Sequence, residues 1–186
     1  MEKALAAILQ EIDRRNKPLI IAVDGRCASG KTTFAGLLEK ATGCTVIHTD
    51  HFFLRPEQRT EERLNEAGEN VDHERILEEV LLPLSEGKEF SYRKFDCKAM
   101  RLSTEIRVKP ADVTVIEGSY SCHPRLSGYY DLRIFFTADP QEQLRRIRFR
   151  NGSEAVSAFR ERWIPLEEKY FSVFKIQEKC DFVFCT

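Results

Sequence analysis

Nothing in this sequence approaches the roughly 20 consecutive apolar residues that a membrane-spanning helix needs, so no membrane partner is expected. An excess of either charge is missing too. Lys and Arg number 29 against 30 Asp and Glu, a net charge of -1. Broad nucleic-acid binding needs a basic surface that displaces counterions, and none is foreseen here. No C-x-x-C pair occurs among the six cysteines, Cys27, Cys44, Cys97, Cys122, Cys180 and Cys185. That excludes a zinc ribbon or a thioredoxin-like motif and leaves reduced, mostly buried thiols as the expectation. The opening "MEKALAAILQEIDRRNK" is too charged and too helix-periodic for a signal peptide, with Leu5, Ile8, Leu9 and Ile12 on one helical face. Internal repeats, low-complexity tracts and long linkers are absent. The expectation is one cytoplasmic domain over residues 1–186. Self-association into a homo-oligomer stays open.

What the chain does have is alternation. Short apolar runs at 18–24, 45–49, 112–118, 132–137 and 181–186 read as strands, several of them apolar on both faces as buried parallel strands require. Helical patterns fall between them at 31–42 (closed by Gly43), 57–68, 73–86, 139–151 and 153–179. Asp139, Pro140 and Glu142 form an N-terminal capping pattern, and Pro165 predicts a break or kink. The order predicts an α/β fold, a three-layer sandwich with a central parallel sheet. Residues 90–110 break the rhythm by alternating polar and apolar side chains, which reads as a β-hairpin flap.

"GRCASGKTT", Gly25 to Thr33, matches G-x-x-x-x-G-K-[ST] between an apolar strand and a helix. Gly25 and Gly30 let the backbone wrap a phosphate, with Ala28, Ser29 and Thr33 in the same cradle and amide N–H groups turned to the anion. Lys31 supplies charge to the β and γ phosphates, and the Thr32 hydroxyl is placed to ligate Mg²⁺. ATP with Mg²⁺ is the cofactor expected.

Ligands in open α/β sheets bind beyond the carboxyl ends of the strands. Two acids stand there. Glu117 ends "DVTVIEG", suited to holding or orienting Mg²⁺. Asp50 ends "HTDHFF", suited to accepting a proton from an attacking hydroxyl or joining Thr32 and Glu117 at the metal. His48 and His51 lack a further histidine or cysteine nearby in the sequence to complete a transition-metal site. Further on, "EQLRRIRFRNG" (142–152) places Arg146 and Arg150 on one stripe and Arg145 and Arg148 on another. A closing lid there would bring arginine to the transferring phosphoryl group. The absence of N/T-K-x-D weighs against a GTPase.

Taken together, "DGRCASGKTTFA", "TDHFF", "NVDHERI", "YRKFDC", "VIEGSY" and "LRRIRFRNG" resemble the uridine kinase family, within the group that includes phosphoribulokinases and pantothenate kinases. The resemblance runs from about Ile20 to Gly152. It implies a P-loop NTPase fold with a helical lid, and transfer of the γ-phosphoryl group of ATP to a nucleoside such as uridine or cytidine. It also implies Asp50 as general base, Asp72 on ribose hydroxyls, and Tyr92 and Phe95 of the flap over the nucleoside. Phe53, expected with Phe52 to wall the acceptor pocket, stands where the family has tyrosine, Val71 and Glu74 replace an aromatic and a proline, and the lid lacks Arg-Arg-Asp. The residues themselves leave alternatives. Asp72 directly precedes a helical run and suits an N-cap, while Tyr92 and Phe95 suit packing inside the flap. Trp163 is expected to pack the last helix. Another hydroxyl acceptor (pantothenate, nicotinamide riboside or a sugar) and a nucleotide-binding switch protein remain as rival readings.

Overall fold

The computed structural model describes residues 1–186. Five strands form the central sheet: β1 (Leu19–Gly25), β2 (Thr45–His48), β5 (Val113–Glu117), β6 (Leu132–Thr137) and β7 (Phe182–Cys185). All pair in parallel, in the order β2-β5-β1-β6-β7. Side-chain alternation sorts the sheet into two cores. Ile21, Val23, Val115, Ile134 and Phe136 face one side, where Phe34, Ala35 and Leu38 of helix α2 (Lys31–Thr42) meet Ala4 and Ile8 of helix α1 (Glu2–Arg15). Ala22, Ile116 and Phe135 face the other, against Ile76, Val80, Tyr170 and Phe171 from later helices. Since both faces are covered, the strands carry no polar face.

The hairpin forms as expected, β3 (Phe90–Asp96) against β4 (Arg101–Val108), antiparallel with an irregularity between Arg93 and Phe95. Its inner side chains Tyr92 and Val108 join the second core.

Three helical expectations shift. The run at 57–68 is a 3-10 turn, Pro56–Gln58, and a short helix, Glu61–Asn65, because the Thr60 side chain accepts the Arg63 N–H and starts a fresh helix. The run at 153–179 is a continuous helix over 155–174 that stops at Lys175, whose φ is 52°, with Ile176–Lys179 following. Pro165 does not break it. A π turn, Phe159–Trp163, precedes that proline, and a second, Leu77–Leu81, precedes Pro83 in helix 73–85. Proline crowds the carbonyl four residues back and donates no N–H. The wider turn absorbs both defects within a continuing helix.

Candidate active site

The carboxyl ends of β1, β2 and β5 open into a cavity of about 590 Å³. The loop after β1 forms its floor. Gly25, at φ 136°, passes so near β6 that a Cβ would lie 1.9 Å from the Phe136 carbonyl oxygen, so only glycine fits. Ala28 is left-handed at φ 57°, which turns the chain into α2. Ala28, Gly30, Lys31, Thr32 and Thr33 line the cavity, while Gly25 and Ser29 are buried beneath it. Lys31 folds back, its Nζ donating to the Gly25 and Arg26 carbonyls at 2.7 and 2.9 Å.

Register brings the acids together. His48 of β2 is the direct neighbour of Glu117 on β5. His48 Nδ1 bonds Glu117 Oε1, and the Thr32 hydroxyl lies 3.3 Å from both carboxylate oxygens. The Glu117 bond raises the His48 pKa against the opposing effect of burial. Gly118 permits this packing, since a Cβ there would meet Thr49 Oγ1 at 2.0 Å. β2 ends at His48, and Asp50 sits in the 3-10 turn Thr49–Phe52 rather than on the strand. Its side chain reaches solvent through the cavity yet has protein mass around it. That desolvation, with Glu117 behind, raises its carboxyl. His51 turns the other way, its Nδ1 3.0 Å from the Tyr92 hydroxyl, and burial pushes it down to about 4.

The other anticipated residues divide. Phe53 and Arg150 line the cavity. Arg146 is held at the loop's edge, with Nη1 donating to the Ala28 carbonyl at 3.3 Å and Thr186 Oγ1 at 2.7 Å. Arg145 pairs with Glu142, and Arg148 is exposed. The arginine helix runs unbroken through Pro140–Asn151, capped by Asp139 as anticipated, and stops at Gly152. Tyr92 and Phe95 are buried in the flap and do not line the cavity, and Tyr92 is packed into the second core. Asp72 is buried too, its Oδ1 capping the Arg75 N–H at 3.2 Å. The cap reading accounts for that oxygen. Oδ2 makes no hydrogen bond but lies 3.7 Å from Arg55 Nε in an ion pair.

Sequence reasoning missed several lining residues. Arg59, Asn70, Phe159, Trp163 and Glu167 stand on the cavity wall. Trp163 was expected only to pack its helix, but the π turn carries it there. Cys27 and Cys97 also line the cavity, and Cys97 and Cys185 are exposed, so the thiols are less uniformly buried than foreseen. Asp24, just before the loop, is fully buried and accepts from Gly25, Tyr120 and Cys122 amides and the Tyr170 hydroxyl.

A separate polar cluster joins Glu69, His73 and His123. The Arg125 amide donates to His123 Nδ1 at 3.3 Å, which leaves the ring proton on Nε2, 3.7 Å from Glu69 Oε1. Arg63 approaches Glu69 at 3.2 Å and Glu74 at 2.7 Å. A protonated ring nitrogen is a donor, not a metal ligand. Glu69 thus pairs with the Arg63 guanidinium beside two stacked histidine rings, of which His123 is kept neutral by burial.

Comparisons with known proteins point to one family. Residues 20–150 match the model of the phosphoribulokinase / uridine kinase family. Uridine kinase-like protein 4 of Arabidopsis thaliana is 33% identical over 144 residues, 72% of this chain but only 30% of that protein. A uridine kinase of Ureaplasma parvum is 30% identical over 155 residues, 76% of this chain and 73% of that protein. Among solved structures, a possible uridine kinase from Bacillus stearothermophilus superposes with a TM-score of 0.66 at 20% identity, covering 96% of this chain and 99% of that one. A putative fructose transport system kinase from Silicibacter sp. gives 0.73 at 20% identity, covering 97% and 98%. At such identity the two structures speak for the fold alone.

Proposed function

The chain belongs to the phosphoribulokinase / uridine kinase family, and from that premise we propose that it transfers the γ-phosphoryl group of Mg-ATP to the 5′-hydroxyl of a nucleoside such as uridine or cytidine. One observation carries the reading. A single cavity joins the phosphate loop, Asp50, Glu117 and Arg150 to an aromatic wall of Phe53 and Trp163.

The donors present suit a magnesium nucleotide. Lys31 Nζ is bonded only to carbonyls, so it is free to turn to an anion without breaking an ion pair. Thr32 and Glu117 form an adjacent oxygen pair of the hard kind Mg²⁺ prefers. When bound, Mg²⁺ neutralises charge on the β and γ phosphates. Within that frame Gly25, Ala28, Ser29, Gly30, Lys31, Thr32 and Thr33 hold the triphosphate. Lys31 and Arg150 offset charge developing on the transferred group, with Arg146 at the loop edge. Asp50 takes the proton of the attacking hydroxyl, its raised pKa bringing it nearer to a base's working range. Asp72 is assigned to the ribose hydroxyls by the family resemblance alone, since it is buried off the cavity wall with Oδ1 on the Arg75 N–H and Oδ2 3.7 Å from Arg55 Nε.

A second reading draws on Arg59, a cation on the cavity wall with no carboxylate partner. It favours a hydroxyl acceptor that carries a carboxylate, such as pantothenate. A screen of ADP release from Mg-ATP across nucleosides, vitamins and sugars tests both. Uridine or cytidine giving the highest kcat/KM supports the first, and a carboxylate-bearing acceptor would replace it. No acceptor-dependent ADP from any hydroxyl compound would instead point to a nucleotide switch.

A further inference from the structure

We propose that Glu167, on helix 155–174 beyond the span that the family model covers, is a positioning residue of the phosphate-binding loop. Its carboxylate is buried at 6% exposure on the cavity wall. Oε2 accepts the backbone N–H of Cys27 at 2.8 Å, and Oε1 accepts the Ser119 hydroxyl at 2.7 Å. Cys27 belongs to the loop, and Ser119 follows Glu117 and Gly118. One carboxylate therefore ties the phosphate loop to the end of β5 that carries the acid beside Thr32. Each oxygen is bonded to a protein donor, and it is through those two groups that Glu167 is assigned its role.

Its neighbours repeat the pattern. Glu168 pairs with Arg26 through two bonds of 2.6 and 2.9 Å, and the Tyr170 hydroxyl donates to Asp24 at 2.9 Å. Residues 167, 168 and 170 of one helix thus grip positions 27, 26 and 24 at the loop's entrance. Downstream, the backbone reverses at Ala28 and enters α2. Fixing the Cys27 amide sets the point from which that reversal starts, and hence the aim of the amides that follow. Charge-assisted hydrogen bonds are shorter and stronger than neutral ones, which suits this task.

The π turn is what delivers Glu167. One extra residue in a helix rotates everything beyond it by about 100°. Removing the bulge at Phe159–Trp163 would swing Glu167 off the wall. Pro165, which the π turn accommodates, is thereby coupled to the loop's geometry.

The inference rests on reading Gly25 to Thr33 as a nucleotide-phosphate site, and the experiment separates the two. Mg-ATP affinity is measured by calorimetry on the full chain and on Glu167→Ala, Glu167→Gln and Lys31→Ala, with thermal unfolding of each nucleotide-free protein alongside. Glu167→Ala is expected to weaken Mg-ATP binding at least about 10-fold in folded protein. Glu167→Gln, isosteric and still offering an acceptor oxygen to Cys27, is expected to recover most of that loss. A purely structural role would lower the melting temperature and leave the affinity of the folded protein unchanged. Affinity within about threefold of the parent in a folded Glu167→Ala overturns the inference alone, as does a Gln variant no better than Ala. A parent that binds no Mg-ATP, matched by Lys31→Ala, overturns the phosphate-site reading and takes this inference with it.

Discussion

His48 and Glu117 stand side by side across β2 and β5, ring nitrogen bonded to carboxylate, and the same carboxylate faces the Thr32 hydroxyl. The bond holds the His48 pKa above its ordinary value, while burial alone would lower it. Glu117→Gln removes the carboxylate charge and leaves burial largely unopposed. The His48 ring should then titrate at the ordinary histidine value or below, followed by NMR on nucleotide-free protein. A His48 titration unmoved by the substitution would show that Glu117 is not its partner.

Asp50 lines the cavity beside the phosphate loop, and its nearest charged influences include Glu117, Lys31 and His48. If it takes the acceptor's proton, Asp50→Asn keeps the shape of the site but removes the base. Mg-ATP binding should stay within about threefold, and phosphoryl transfer should fall at least about 100-fold. Equal loss of binding and turnover would move Asp50 from proton transfer to the metal.

Lys31 is buried at 7% exposure, and its ammonium bonds only to loop carbonyls. Lys31→Ala removes the positive charge from the phosphate site and two hydrogen bonds from the loop. Turnover should drop by about 100-fold or more, while unfolding free energy changes by only about 1–3 kcal/mol. Activity near that of the parent would remove the loop from the mechanism.

The sheet, the flap and the phosphate loop were legible because each has a local signature: apolar runs on both faces, polar–apolar alternation, and glycines at fixed spacing. Asp50 and Glu117 were legible because strand ends in such a sheet gather at one edge. Glu167 and Trp163 were not. Their place depends on a π turn and on long-range packing of helix 155–174, and no spacing within the helix announces either. For the flap, the residues suited packing inside it while the resemblance implied a place over the nucleoside, and Tyr92 is packed into the core and not on the cavity wall.

That distinction can be measured. Tyr92 is 3% exposed, with its hydroxyl 3.0 Å from His51 Nδ1, and burial pushes it up to about 12. Tyr92→Phe loses one hydrogen bond and should cost about 1 kcal/mol of stability, with the acceptor KM changed less than about threefold. Phe53 is on the cavity wall. Phe53→Ala should raise that KM about tenfold, the loss expected for one aromatic contact. The reverse ranking in steady-state kinetics would return the flap aromatic to the acceptor site.

Asp24 supplies a test of the loop's foundation. Its fully buried carboxylate accepts four hydrogen bonds, from the Gly25 amide at 2.7 Å, Cys122 at 2.8 Å, the Tyr170 hydroxyl at 2.9 Å and Tyr120 at 3.2 Å. Those donors favour the charged form, yet burial outweighs them and raises the pKa from 3.8 to about 6. The fold thus binds this proton more tightly than the unfolded chain does. The resulting stabilisation is complete below the unfolded pKa of 3.8 and is lost as pH rises through about 6. The shift corresponds to about 3 kcal/mol. Asn at this position does not titrate, so the difference in unfolding free energy between the parent and Asp24→Asn should move against the parent by about that amount from pH 4 to pH 7. Urea unfolding of both proteins across this range measures it, and groups common to the two cancel. A difference that stays flat with pH would mean that the four donors hold Asp24 ionised throughout, with burial the weaker effect.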